Sequence, residues 1–169
     1  MADRKAEYRF KSGNIWDRLL FVTDASLVMN NCRSISFRPN ADRVSSSTLI
    51  RLDEALPSAS HFWDADMSIA AVQSDGTVKI LKAGRYIVFA RCFYYYGVDA
   101  FLHAERKRGS EAWGVLHRCI FSKVTNSTAT FGTANYLQAG DFVRLATESV
   151  VPNTCKKDET KIELIYLGE

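Results

Sequence analysis

The segment Arg85–Tyr96 restricts the fold of this chain more than any other part of the sequence. Successive side chains of a β-strand point to opposite faces. One face would then hold Tyr86, Val88, Ala90, Cys92 and Tyr94, and the other Ile87, Phe89, Arg91, Phe93 and Tyr95. Both faces are mostly apolar, although a strand on the outside of a sandwich is expected to be polar on one side. Something must therefore cover the second face. Another subunit is the simplest candidate, and the first 30 residues of the chain are the alternative.

The chain from about Ser34 onward is also typical of β-structure. Short apolar runs alternate with turn signals at regular intervals, as they do in sandwiches and barrels. We predict an all-β fold of about eight to ten strands, with strands over residues 33–37, 48–52, 77–81, 85–96, 99–108, 113–121, 130–137, 142–148 and 161–167. Loops or turns are predicted at Ser45–Ser47, Asn126–Thr128 and Pro152–Asn153.

The first 31 residues have a different pattern. Ser12 is placed to cap a helix that begins near Asn14, with Ile15, Trp16, Leu19, Leu20 and Val22 on one broad face. A strand over Leu19–Thr23 is the competing interpretation. We predict a short helix or extended arm over residues 1–31, followed by one domain over residues 32–169.

Composition excludes several classes of function. The chain has 169 residues, of which 47% are hydrophobic, and this suits one packed domain. Its net charge is only +3, which is too small to indicate binding to nucleic acid. No run of 18 apolar residues is present, and Met1–Ser12 lacks the apolar region of a secretory signal. We therefore expect no membrane insertion by this chain, which is either cytosolic or the soluble piece of a longer precursor.

Catalysis and metal binding are not expected. His61, His103 and His117 are the only histidines, and no nucleophile motif, phosphate loop or zinc spacing accompanies them. The predicted set of catalytic residues, metal ligands and cofactors is therefore empty. Asn126-Ser127-Thr128 is a glycosylation sequon, which makes Asn126 a candidate site if the chain is secreted.

The four cysteines leave the redox compartment open, since two disulfides, one or none are all compatible with their spacing. Cys92 is predicted to be a buried thiol on the core-facing side of its strand. A bridge between Cys119 and Cys155 is one alternative, because both lie near strand ends, and Cys32 has no assigned partner.

Several segments together resemble tumour necrosis factor ligands. Gly84–Arg91 is similar to that family's "G-x-Y-hydrophobic-hydrophobic-aromatic-small-polar" strand, and Leu137–Leu145 to its "L-x-x-G-D-x-hydrophobic-x-L" turn and strand. Three further parts of the sequence also match. Leu116–Cys119 is similar to a segment of ectodysplasin and B-cell-activating members, and Ile162–Leu167 fits the family's closing strand. Trp63 stands where several members carry a tryptophan. The chain departs from the family at Lys161-Ile162-Glu163 and lacks a second loop cysteine at Ala129 or Thr130. The globular heads of complement-like, collagen-tailed proteins share the fold and are the close rival.

The resemblance implies a jelly roll of two antiparallel sheets and three copies around a threefold axis. Residues at the family's axial positions are Ile87, Phe89 and Arg91, then either Thr130 or Phe131, and Ile162. Receptors of the tumour necrosis factor receptor type would bind in the grooves between subunits, where Trp113 would be an anchor near Arg108 and Glu111. An early loop holding Arg38, Asn40, Asp42 and Arg43 would flank the same groove.

These implications predict an extracellular, homotrimeric cytokine-type ligand, secreted or shed from a membrane-anchored precursor. The alternatives are a complement-like head for extracellular recognition and a monomeric or dimeric jelly roll that binds a small ligand. For Trp113 the plain structural interpretation is a buried lid between two strands, and for the early loop it is a solvated turn.

Overall fold

The computed structural model describes residues 33–40, 43–45, 49–56, 66–94, 100–121, 127–149 and 153–169. These residues form thirteen strands and one short 3₁₀ turn, Lys157–Glu159, so the predicted all-β class is confirmed. The strands are β1 (Arg33–Arg38), β2 (Arg43–Ser45), β3 (Leu49–Ile50), β4 (Glu54–Leu56), β5 (Ala70–Val72), β6 (Val78–Ile80), β7 (Gly84–Tyr94), β8 (Ala100–Lys107), β9 (Gly114–Phe121), β10 (Ser127–Leu137), β11 (Phe142–Ser149), β12 (Asn153–Cys155) and β13 (Lys161–Gly168).

The strands form two antiparallel sheets, as in a jelly-roll sandwich. The first sheet has the order β2-β12-β7-β13-β1-β4, with β10 also paired to β7. The second has the order β5-β6-β11-β8-β9, with β3 also paired to β11. Strand β7 is therefore the centre of the first sheet, paired along its length with β10 on one side and β13 on the other.

Short strands account for most of the difference from the sequence prediction. The strands β2, β4, β5 and β12 have three residues each, too few for alternation to be recognised in sequence. Strand β10 also begins earlier than predicted, since Ser127 and Thr128 pair with Tyr94 and Phe93 of β7. Pairing with a long partner strand outweighs the loop-like local sequence there. The predicted arm over residues 1–31 lies outside the described residues.

The core lies between the two sheets and is built from alternate residues of the long strands. In β7 the wholly buried side chains are Tyr86, Val88, Ala90 and Cys92, the face predicted to point inward. The rings of Tyr86 and Tyr166 meet edge to face with centroids 5.3 Å apart. The Tyr86 hydroxyl donates a 2.6 Å hydrogen bond to the carbonyl of Lys82, and burial raises the pKa of this phenol.

Gly84 begins β7 at a place where no other residue fits. Its φ is +154°, and a Cβ atom there would lie 2.4 Å from the Tyr166 ring and 2.6 Å from the Gly168 carbonyl oxygen. Replacing Gly84 with Ala is therefore expected to lower the melting temperature by several degrees, since backbone strain and a steric clash each cost about 1–3 kcal/mol. Thermal unfolding by circular dichroism measures this. Gly140→Ala is the matched control for φ strain, because Gly140 has a φ of +92°, outside the left-handed helical region, and open space around it. Equal effects of the two changes would contradict the steric argument.

Candidate interaction surfaces

The outer face of the first sheet is formed by the side chains of β10, β7 and β13 that point away from the core. Ile87 is flanked by Ala134 and Ile165, and Phe89 by Gly132 and Glu163. The next row along the strands contains Thr130, Arg91 and Lys161. We call these nine residues, together with Tyr136 and Leu167, the outer face.

The outer face changes character along the strands. Its apolar end includes Ile87 and Ile165, with Tyr136 and Leu167 exposed to 52% and 41%. At the charged end, Lys161 Nζ lies 3.0 Å from Glu163 Oε2, and Arg91 Nη2 lies 3.3 Å from Glu159 Oε2. Phe89 lies between the two ends, with Lys161 Nζ 6.0 Å from its ring centroid. The face therefore offers an apolar contact area bordered by ion pairs.

Two of the residues expected at the axis lie elsewhere. Phe131 and Ile162 point into the core and are 7% and 0% exposed, so the prediction that they form a subunit interface is corrected. The Phe131 ring packs against the imidazole of His117, with centroids 4.7 Å apart. Strand alternation is the physical reason, because their neighbours Thr130 and Glu163 take the outward positions. Ile87, Phe89, Arg91 and Thr130 do lie on the outer face.

Trp113 lies in the connection between β8 and β9, immediately before Gly114. The guanidinium carbon of Arg144 lies 4.1 Å from its ring centroid, and Arg144 Nε donates a 2.6 Å hydrogen bond to Glu105 Oε2. The indole is half-buried. Stacking on an arginine that is itself held by a carboxylate fixes the indole in one orientation while part of it stays exposed.

Arg108, another residue expected at the groove, is held by an internal ion pair. Its Nε and Nη2 atoms donate hydrogen bonds of 2.8 and 2.9 Å to the two oxygens of Asp141, and the backbone N–H of Gln138 donates a third at 2.9 Å. Burial of Asp141 acts to raise the pKa of its carboxyl group. The hydrogen bonds and the charges of Arg108 and Arg106 outweigh that effect and hold the pKa below its usual value. This pair joins the β8–β9 connection to the β10–β11 turn.

A network of charged and aromatic side chains covers the outside of the second sheet, and it was not anticipated from the sequence. His103 lies between Glu105 and Glu148, with nitrogen–oxygen distances of 3.6 and 3.8 Å. Arg118 donates a 2.9 Å hydrogen bond to Glu148 and stacks on Phe101 at 3.4 Å from the ring centroid. The alternation of polar residues in β8 was a signal that would have predicted this outward face.

The remaining predicted residues are dispersed. Arg38 ends β1 and pairs with Asp158 at 3.4 Å, and the backbone N–H of Asn40 donates a 3.4 Å hydrogen bond to Asp53. Arg43 lies in β2, on the first sheet, and Glu111 is exposed in the β8–β9 connection. Asp42 and Asn126 lie outside the described residues. Arg38, Asn40 and Arg43 thus lie at the first sheet, and the Trp113 group lies beside the second.

In the described part of the chain, no group of three or more His, Cys, Asp or Glu side chains is arranged to hold a metal ion. No helix in that part is long and apolar enough to cross a membrane.

Comparison with known proteins relates this architecture to solved structures. Eiger TNF from S. frugiperda superposes with a TM-score of 0.64 at 18% identity, covering 82% of this chain and 94% of that one. The fold is that of a tumour necrosis factor-like jelly roll. Murine APRIL at pH 5.0 also superposes on this jelly roll with a TM-score of 0.64, at 13% identity, over 81% of this chain and all of that one. Neither a known protein-family profile nor a curated protein matches the chain in sequence.

Proposed function

We propose that this tumour necrosis factor-like chain is a homotrimeric, cytokine-type ligand that gathers receptors of the tumour necrosis factor receptor type. It acts outside the cell, and it acts by binding, with no chemical step of its own. The fold shared with Eiger TNF and APRIL supports the class of protein. The family-like motifs in β7 and in the β10–β11 turn support it independently.

The outer face is the observation that carries the proposal. The inner-face side chains Tyr86, Val88, Ala90 and Cys92 of β7 are wholly buried, while Ile87 and Phe89 lie on the outer face. A monomer would leave this second apolar surface in contact with water, which is unfavourable in free energy. In a closed ring of three copies, each copy covers part of this surface on its neighbour. The ion pairs of Lys161 and Arg91 border the contact.

The trimer presents three equivalent clefts, so one ligand gathers up to three receptor chains. Clustering of receptors is then the signal, and it requires no new contact beyond those in one cleft. Trp113 is the proposed anchor in each cleft, because a large, amphipathic and immobilised side chain loses little entropy when it binds. Glu111, exposed in the same β8–β9 connection, supplies a polar neighbour.

Replacing Trp113 with Ala is expected to weaken receptor binding by about 2 kcal/mol, roughly thirtyfold, and to leave the trimer intact. Surface plasmon resonance with a cysteine-rich receptor ectodomain, together with light scattering, measures both properties. Met67→Ala is the matched control, since Met67 is an exposed apolar residue before β5, at the opposite edge of the second sheet from β9.

Two outcomes would contradict the role of Trp113. An intact trimer with unchanged affinity would show that the receptor contacts other residues. A dissociated or unfolded Trp113→Ala variant would show that the stacking on Arg144 is structural, which is the buried-lid interpretation. Trp113→Phe keeps an aromatic ring over Arg144 and is expected to bind between the wild-type chain and the Ala variant.

A further inference from the structure

Two cysteines that are 63 positions apart in sequence meet in the core. The sulfur atoms of Cys92 in β7 and Cys155 in β12 lie 3.5 Å apart, and both side chains are wholly buried. Their meeting follows from register, because Cys155 is the backbone partner of Tyr94, two residues along β7 from Cys92. Cys92 is therefore buried on the core face, as predicted.

The surroundings of the two sulfurs are small and compact. The Thr160 hydroxyl donates a 3.5 Å hydrogen bond to Cys92 Sγ, and Ala129 is the partner of Cys92 on β10. A disulfide bond is about 2.05 Å long, so the sulfurs must approach by about 1.5 Å. Strand β12 has three residues and joins β7 through one residue pair, which leaves it able to make that adjustment.

We propose that Cys92 and Cys155 are joined by an intramolecular disulfide when the chain folds in an oxidising compartment. Both are reduced thiols in the structure, so the proposed bond replaces the predicted free thiol at Cys92 as well as the alternative of a Cys119–Cys155 bridge. Cys119 lies in β9 of the second sheet opposite Leu102, whereas Cys155 lies in the first sheet in contact with Cys92.

The bond forms by exchange with a small-molecule disulfide such as oxidised glutathione. One cysteine thiolate attacks that disulfide, gives a mixed disulfide and releases one glutathione thiolate. The second cysteine thiolate attacks the protein-side sulfur, forms the Cys92–Cys155 bond and releases the other. The cysteine pair loses two electrons, and the two thiol protons go to the glutathione thiolates. Since both sulfurs are buried in the folded domain, the exchange occurs before β12 docks on β7.

The cross-link would fix one edge of the first sheet. Cys155 also pairs with Arg43 of β2, so the bond would hold β2 and β12 together against β7. Closing a long loop restricts the unfolded chain and raises stability.

Peptide mapping under non-reducing conditions tests the bond directly. The chain is refolded in a mixture of reduced and oxidised glutathione, alkylated and digested with trypsin, which puts Cys92, Cys119 and Cys155 in the separate peptides 92–106, 119–123 and 145–156. The expected result is a linked species of peptides 92–106 and 145–156, about 2 Da lighter than the sum of the two. The link is expected to survive in Cys119→Ser and to be absent in Cys92→Ser.

Stability gives a second measurement on the same samples. Full reduction is expected to lower the melting temperature of the wild-type chain and of Cys119→Ser by about 5 °C or more, and to leave the Cys92→Ser/Cys155→Ser variant unchanged. A link from Cys155 to Cys119 or Cys32, or alkylation of both Cys92 and Cys155 after oxidative refolding, would overturn the proposal. The mapping requires neither trimer nor receptor, so its outcome is independent of the proposed function.

Discussion

Replacement of Phe89 with Asp is expected to convert the proposed trimer into folded monomers of 19.0 kDa. Phe89 lies on the outer face between the core residues Val88 and Ala90, so the change leaves the core of the protomer intact. Each Phe removed from an interface loses at least about 1.5 kcal/mol, and three copies together weaken the trimer by roughly 5 kcal/mol, a several-thousand-fold change. Three carboxylates near one axis add repulsion.

The monomer tolerates the new charge because Lys161 lies close enough to pair with it. Circular dichroism should therefore show an unchanged β-sheet spectrum, while light scattering reports the loss of mass. Met67→Asp adds the same charge at a side chain that is 55% exposed and outside the outer face, and it is expected to leave the trimer unchanged. A Phe89→Asp variant that keeps the wild-type mass would show that the outer face is not the subunit contact.

Replacement of Asp141 with Asn is expected to reduce the free energy of unfolding by about 2 kcal/mol or more. The Asp141 carboxylate is only 1% exposed and accepts three hydrogen bonds, two from Arg108 and one from the backbone of Gln138. An amide keeps one acceptor oxygen and no charge, so buried donors lose their partners. Arg108 is partly exposed and recovers some solvation from water, which limits the loss. Urea denaturation measures it.

Asp158→Asn is the matched control for Asp141→Asn. Its carboxylate also pairs with an arginine, Arg38 at 3.4 Å, but it is largely exposed. Exposed ion pairs contribute little, so a change below about 0.5 kcal/mol is expected. Equal effects of the two substitutions would contradict the assignment of Asp141 as a buried support for the β8–β9 connection.

The Asp141 pair also sets an expected pH dependence. Its pKa in the folded chain is lower than the ordinary value of 3.8, so the folded state gives up this proton more readily than the unfolded state. The stabilisation is therefore complete above pH 3.8 and is lost as pH falls through the folded pKa. The stability difference between the wild-type chain and Asp141→Asn should be constant at neutral pH and shrink below about pH 4. A difference that grows on acidification would have the wrong sign.

The fold was predictable where strands are long. Eleven residues of β7 alternate so regularly that the inner face of Tyr86, Val88, Ala90 and Cys92 could be assigned from the sequence, and the buried set matches it. The Gly-Asp turn before β11 was equally clear, because Gly140 adopts a φ of +92° that suits glycine.

The candidate surfaces were harder to predict because they depend on register and on partners distant in sequence. Assigning Phe131 and Ile162 to an interface required the correct strand phase, and an error of one residue exchanges the two faces of a strand. Arg108 was expected to be available to a receptor. In the structure its side chain is held by Asp141, which lies 33 residues later in the sequence, so local sequence could not identify this partner. The contact between Cys92 and Cys155 similarly depends on the three-residue strand β12, which local sequence does not reveal.

The molar mass of the wild-type chain in solution tests the central claim most directly. Light scattering at micromolar concentration is expected to give three times 19.0 kDa, because the proposed ring of three copies would bury the outer face. A stable mass of 19.0 kDa at that concentration would contradict the trimer, and with it the three clefts on which receptor clustering depends.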